Sequence, residues 1–233
     1  MTISTQRWCA WCGAAFLVLF GLGFWAIAGF IPPPSPKESS AQIARLYMDH
    51  TNRIRAGLAI TMFASTLQFP WVAVISVQLK RIEGAASPMS YAQLVSGGIG
   101  FLLFVWPVFI WQTAAFRPQD RDPDMIKMLN DLGWLPFVGI ATPAIMQCIA
   151  IAVVTLRDRR AIPIFPRWIG WYNIWAALSF LPAAVLPFFK DGPFAWNGLL
   201  SLYIPLVAFG VWFILMLWAL LRAIDAEEKD LQN

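Results

Sequence analysis

The chain has 233 residues, of which 59% are hydrophobic and only 13% charged, with a formal net charge of +4; its mean hydropathy is +0.62. Soluble domains carry roughly 25% charged residues, so this composition excludes an ordinary soluble globular protein and places the chain among multi-span membrane proteins. The positive balance does not point to nucleic acid, because the Lys and Arg residues stand in short clusters at the ends of apolar runs, where they anchor helices and set topology.

The first apolar run, Trp8 to Ile31, is long enough to span, has no small-residue cleavage pattern after it and ends in a proline turn. It reads as a retained helix rather than a signal peptide. Cys9 and Cys12 form a C-x-x-C at its start, while Cys148 falls in mid-membrane. With no second pair and no nearby histidine, the motif reads as two small interfacial residues at helical spacing, and no metal site is expected.

A spanning helix needs about 20 mostly apolar residues. Six stretches qualify: Trp11 to Ile31, Leu58 to Val77, Ala92 to Ala114, Leu135 to Leu156, Trp168 to Phe189, and Leu199 to Leu221. The chain is expected to form one all-α membrane bundle with both termini on one side. The even-numbered connections are compact and basic, with Lys80 and Arg81 in the second and Arg157, Arg159, Arg160 and Arg167 in the fourth. Nine Lys and Arg residues fall on the side of the termini and eight on the other, where they are dispersed or outnumbered by acids. Density rather than total therefore predicts cytoplasmic termini in a cell membrane, an inner membrane in a bacterial setting.

The first odd connection reads "PPPSPKESSAQIARLYMDHTNRIRAG", residues 32–57. Its prolines stop the first span, and Ser39 or Ser40 can cap a new helix. Ile43, Leu46, Tyr47, His50 and Ile54 recur at helical spacing, so an amphipathic helix on the bundle or bilayer surface is expected, with Arg45, Asp49 and Arg53 as a charge ladder on another face.

The third connection, "FRPQDRDPDMIKMLNDLGW", carries seven charged residues in nineteen positions. Asp122 suits an N-cap, Pro123 the first helical position, and Gly133 the end. Met125, Met128, Leu129 and Leu132 would form the apolar stripe of a second interfacial helix, with Trp134 at the headgroup level. The sequence span, proline break, amphipathic helix, span occurs at 11–80 and again at 92–160 within this single domain, which suggests an internal duplication.

Chemistry-bearing residues are scarce. The lone histidine excludes di-iron hydroxylases, paired-histidine haem bundles and H-E-x-x-H zinc proteases. No G-x-S-x-G elbow or P-loop occurs, and no Asp, Glu, Lys or Arg stands well inside a span, which counts against an ion-coupled pump. A channel would need a filter-like stretch, and none is present.

Polar residues do occur at depth. Thr61, Ser65, Thr66 and Gln68 lie in the second span, Thr142 and Gln147 in the fourth, and Asn173 and Ser179 in the fifth. They accompany Pro70, Pro107, Pro143, Pro182, Pro187 and Pro205, each of which frees a backbone carbonyl. The segments "FPRWIGWYNIW" and "FFKDGPFAWNG" bracket the fifth span and place Trp168, Trp171 and Trp175 on one helix face. Such a face serves as an interfacial belt or as the wall of a pocket.

Two readings follow. The first is a non-enzymatic multi-pass protein, a transporter or an accessory subunit, that binds a hydrophobic small molecule, a lipid or a partner span. Gln68, Gln147 and Asn173 would be its hydrogen-bonding handles and Trp171 and Trp175 its aromatic wall. The second is an integral-membrane enzyme at the outer interface, built from Asp49, His50, Arg53, Asp122, Asp124 and Asp131 converging above the first four spans. The residues name no cofactor.

Overall fold

The computed structural model describes residues 2–232, and among them every regular element is helical. Six helical runs are long and apolar enough to cross a membrane: Ile3–Ile27, Thr51–Glu83, Pro88–Phe116, Pro123–Arg157, Arg167–Phe188 and Leu199–Gln232. The protein is thus a multi-pass membrane bundle, as its composition predicts. Among the described residues nine α-helices build it: α1 (Ile3–Phe20), α2 (Ser40–Asp49), α3 (Thr51–Ser65), α4 (Gln68–Glu83), α5 (Pro88–Phe116), α6 (Pro123–Gly139), α7 (Thr142–Arg157), α8 (Arg167–Ser179) and α9 (Ile204–Gln232).

Helix α5, unbroken despite Pro107, packs against α3, α4, α6 and α7. Helix α1 lies against α9 and α4, and α8 bridges α7 to α9. The helix of the first span begins at Ile3, ahead of Trp11, and that of the sixth runs on to Gln232, past Leu221, and polar side chains on these extensions bind one another. Buried Gln78 of α4 donates to Gln6 Oε1 at 2.6 Å and to Glu227 Oε2 at 3.0 Å, and Gln6 donates to Glu227 Oε2 at 3.2 Å. Arg7 pairs with Asp225 and Glu228 at 2.7 and 2.8 Å. Both chain ends therefore share one end of the bundle.

At the opposite end, α2 forms as its cap predicts. Ser39 Oγ accepts the Gln42 N–H at 3.4 Å while Gln42 Oε1 accepts the Ser39 N–H at 2.8 Å, a reciprocal capping box. Ile43, Tyr47 and Ile54 are buried, but His50 leaves their stripe. Helix α2 stops at Asp49, His50 takes φ −119° and ψ 18°, and α3 starts at Thr51, so the imidazole points to the surface instead of into the bundle.

The third-connection helix also departs from expectation. Asp122 caps α6, accepting the Asp124 N–H at 2.8 Å, and Pro123 opens it. Gly133 does not end it; α6 continues to Gly139 and forms the first half of the fourth span. Gly133 is required for packing, since a Cβ there would lie 2.2 Å from the Trp111 indole nitrogen. The buried face is Ile126, Asn130, Gly133 and Trp134, while Met125, Met128 and Leu132 point outward. Trp134 is fully buried among the aromatic residues of the core.

The core is aromatic. Phe24, Phe30, Trp111, Trp134 and Phe137 contact one another with ring centroids 4.8–6.0 Å apart. Lipid tails are as apolar as these rings, so burial alone provides little drive within the bilayer and close packing must supply it. Aromatic pairs contribute about 0.5–1.5 kcal/mol each beyond area.

Candidate functional site: an apolar cavity among broken spans

Several spans are irregular over part of their length, each for a local reason. In the second, Pro70 lacks the N–H that would reach Thr66, and α3 gives way to α4 through Thr66 and Leu67. In the fourth, Pro143 cannot donate to Gly139; the Ala141 N–H bonds the Gly139 carbonyl at 3.1 Å instead, and the chain bends at Ile140 between α6 and α7. The fifth span turns from α8 into a 3-10 segment, Leu181–Phe188, that contains Pro182 and Pro187. The sixth opens with a π turn, Leu199–Tyr203, just before Pro205.

Irregular backbone at membrane depth persists only where protein or a cavity surrounds it. The fourth, fifth and sixth interruptions meet around one cavity of about 130 Å³. Phe20, Phe104, Phe137, Phe180 and Phe209 wall it with Ala141 and Ala144, and Ile140 and Leu206, both partly exposed, stand at its rim. Ser201 is its one hydroxyl, and that group already donates to the Phe194 carbonyl at 2.9 Å. The interior therefore offers dispersion contacts and no ionisable group.

The five residues singled out for ligand binding do not line this cavity. Asn173 is fully buried and faces α9, where it accepts from Trp212 Nε1 at 2.8 Å and donates to the Ile169 carbonyl at 2.9 Å. Trp171 and Trp175, two residues to either side, are 61% and 52% exposed and look outward, so Asn173 and the tryptophans occupy different faces of α8. Gln147 is half-buried beside Gly97 of α5, where a Cβ would lie 2.8 Å from its amide nitrogen. Gln68, buried at the start of α4, leaves its amide nitrogen without a protein partner.

The six interfacial candidates separate as well. Asp49, His50 and Arg53 border one surface recess with Arg55 and Gln119. Asp122, Asp124 and Asp131 lie outside it. Asp122 caps α6, Asp124 accepts from Ser40 of α2, and Asp131 accepts from Asn130 at 3.2 Å. Arg53 is committed to the Ile27 carbonyl at 3.2 Å and Arg55 to the Phe116 carbonyl at 3.1 Å. Tyr47 donates to Asn130 Oδ1 at 3.3 Å, and burial, with the Asp131 charge adding to it, pushes its phenol well above the ordinary range. These contacts pin α2 to α6. No group of three or more His, Cys, Asp or Glu residues that could hold a metal occurs among the described residues.

Sequence reasoning passed over the phenylalanines of the cavity because Phe is unremarkable in any span. The usable signal was Pro143, Pro182 and Pro205, which mark the breaks that meet there. No protein-family model, curated protein or solved structure matches the chain.

Proposed function

We propose that this protein is a non-catalytic membrane protein that holds the apolar portion of a lipid or another hydrophobic small molecule in the cavity between its broken spans, as a carrier or an accessory subunit. The observation that supports it is the aromatic-walled cavity of about 130 Å³ with half-exposed Ile140 and Leu206 at its rim. An apolar cavity of about 150 Å³ stays dry and takes up benzene, so this one suits a ring or the end of a chain, with the rest of the molecule in the bilayer. Whole drug-sized ligands occupy about 300–1,000 Å³ and would not fit. The compact basic second and fourth connections favour a cytoplasmic location for both termini.

Photolabelling with an alkyl diazirine in detergent tests this reading. The wild type is expected to take label on the peptides that carry Ile140 and Leu206. Ala144→Trp fills the cavity, at a packing cost of about 1–3 kcal/mol, and should lose that label. Val207→Trp, at an outward-facing position on α9, should retain it. Equal labelling of the two variants would show that the cavity is not the site.

A further inference from the structure

The end of the bundle that carries the termini holds a second cavity, about 630 Å³, unrelated to the aromatic one. Arg81 of α4, Arg160 of the fourth connection, and Arg222 and Lys229 of α9 line it, against a single acid, Asp230. Glu227 pairs with Arg81 at 3.3 Å and the buried Asp158 with Arg160 at 3.8 Å, so with both counted four cations face three acids. The floor is apolar, made by Ile164 and Ala223, and the exposed Ile162 stands beside it.

The cations are held in place. Asp158 is buried, and its carboxylate accepts the N–H groups of Arg160 at 3.1 Å and Ile164 at 2.9 Å, which folds the connection over the cavity. Arg160 also donates to the Arg81 carbonyl, and Arg81 donates to Gln78 Oε1 at 2.7 Å and to the Ala223 carbonyl at 3.3 Å. Arg222 is exposed, its guanidinium 5.9 Å from the Trp218 ring. Trp218 in turn packs on Trp168 at 5.6 Å, and both indoles face outward. Outward tryptophans beside arginine mark the level of lipid headgroups, so the cavity opens where phosphates of the bilayer lie.

The geometry points to a binding site for the phosphate headgroup of an anionic phospholipid, with Arg160 and Arg222 as its exposed cationic walls and the acyl chains running along the Trp168 and Trp218 face. A soluble phosphate compound presents the same chemistry, but it would make no use of an apolar floor that opens at the membrane surface.

The test is thermal unfolding of the purified full chain in detergent, titrated with phosphatidylglycerol, phosphatidylcholine or inorganic phosphate. Phosphatidylglycerol is expected to raise Tm and phosphatidylcholine to leave it unchanged. Arg160→Gln with Arg222→Gln should weaken the phosphatidylglycerol response roughly 30-fold, about a factor of five for each surface cation. Because Arg160 also braces its connection, Arg222→Gln alone serves as the second variant and should weaken the response about fivefold with Tm in the absence of lipid unchanged. Arg45→Gln, on α2 at the opposite end, removes the same charge and should have no effect. Equal stabilisation by the two lipids, or an undiminished response in Arg222→Gln, would overturn the proposal. Inorganic phosphate reproducing the whole effect would overturn the lipid assignment in favour of a soluble anion.

Discussion

Asn173 shows how far a single residue can be read from a sequence. Its depth in the fifth span announces a buried amide that must find partners, and it is buried. Which partners it finds depends on Trp212, 39 positions away, and helical periodicity carries no information about that pairing. Because the amide is already engaged by Trp212 and Ile169, Asn173→Leu should act on stability. It leaves the indole N–H buried and unpaired, a loss of about 1–3 kcal/mol. Thermal unfolding in detergent should show the lowered midpoint, with alkyl-diazirine labelling at Ile140 and Leu206 unchanged; a lost label with an unchanged midpoint would make Asn173 a ligand handle. His50 teaches the complementary lesson. Its place on the stripe assumed one continuous helix, and a helix boundary between Asp49 and Thr51 turned it outward.

Element boundaries follow the same logic. The caps at Ser39 and Asp122 are where their side-chain chemistry predicts, because capping depends on neighbours in sequence. Gly133 misleads because glycine serves two purposes, ending helices and admitting a bulky neighbour, and only the fold reveals Trp111 lying over it. The strongest case of the second purpose joins the first and second spans. A Cβ on Gly57 would lie 2.3 Å from the Gly23 carbonyl oxygen, and one on Gly23 would lie 2.6 Å from that of Gly57. Backbones approach this closely only where neither residue carries a side chain, a common device between membrane helices. Gly57→Val should therefore separate α3 from the π segment Gly21–Ile27, and the purified protein should be aggregated or absent on size exclusion in detergent. Gly98→Ala, in α5, meets nothing within 4 Å and should be neutral or stabilising by up to about 1 kcal/mol in helix propensity. Equal behaviour of the two variants would show that the glycine contact is not structural.

At the scale of the whole molecule, six spans and a shared end for both termini follow from apolar run lengths alone, since a bilayer imposes one length on every crossing. The aromatic core and the cavity were not legible, because they arise where the first, third, fourth, fifth and sixth spans meet and no local pattern specifies that meeting. Orientation rests on the dense basic connections. A cysteine introduced at Gln119 should react with a membrane-impermeant maleimide in intact cells, and one at Arg159 only after lysis; the reverse pattern would place the termini outside. Both positions lie in connections, so neither substitution disturbs a span.

The hydrogen-bonded knot of Gln6, Gln78 and Glu227 ties Gln6 to a residue made 221 positions later. Synthesis proceeds from the N-terminus, so α1 enters the membrane long before the carboxylate that completes its polar contacts exists. Until α9 arrives, Gln6 has only Gln78, Gln78 has only Gln6 and the Arg81 of its own helix, and the side of α1 that α9 will cover lies open to lipid or to a protease. Arrival of α9 thus closes the polar contacts of α1, and chains that lack it are expected to be recognised as unassembled. Chains stopped at residue 198 should be cleared several times faster than full-length chains in a pulse-chase experiment, and supplying residues 199–233 as a separate polypeptide should lengthen their lifetime by restoring the partner that α1 was inserted to await.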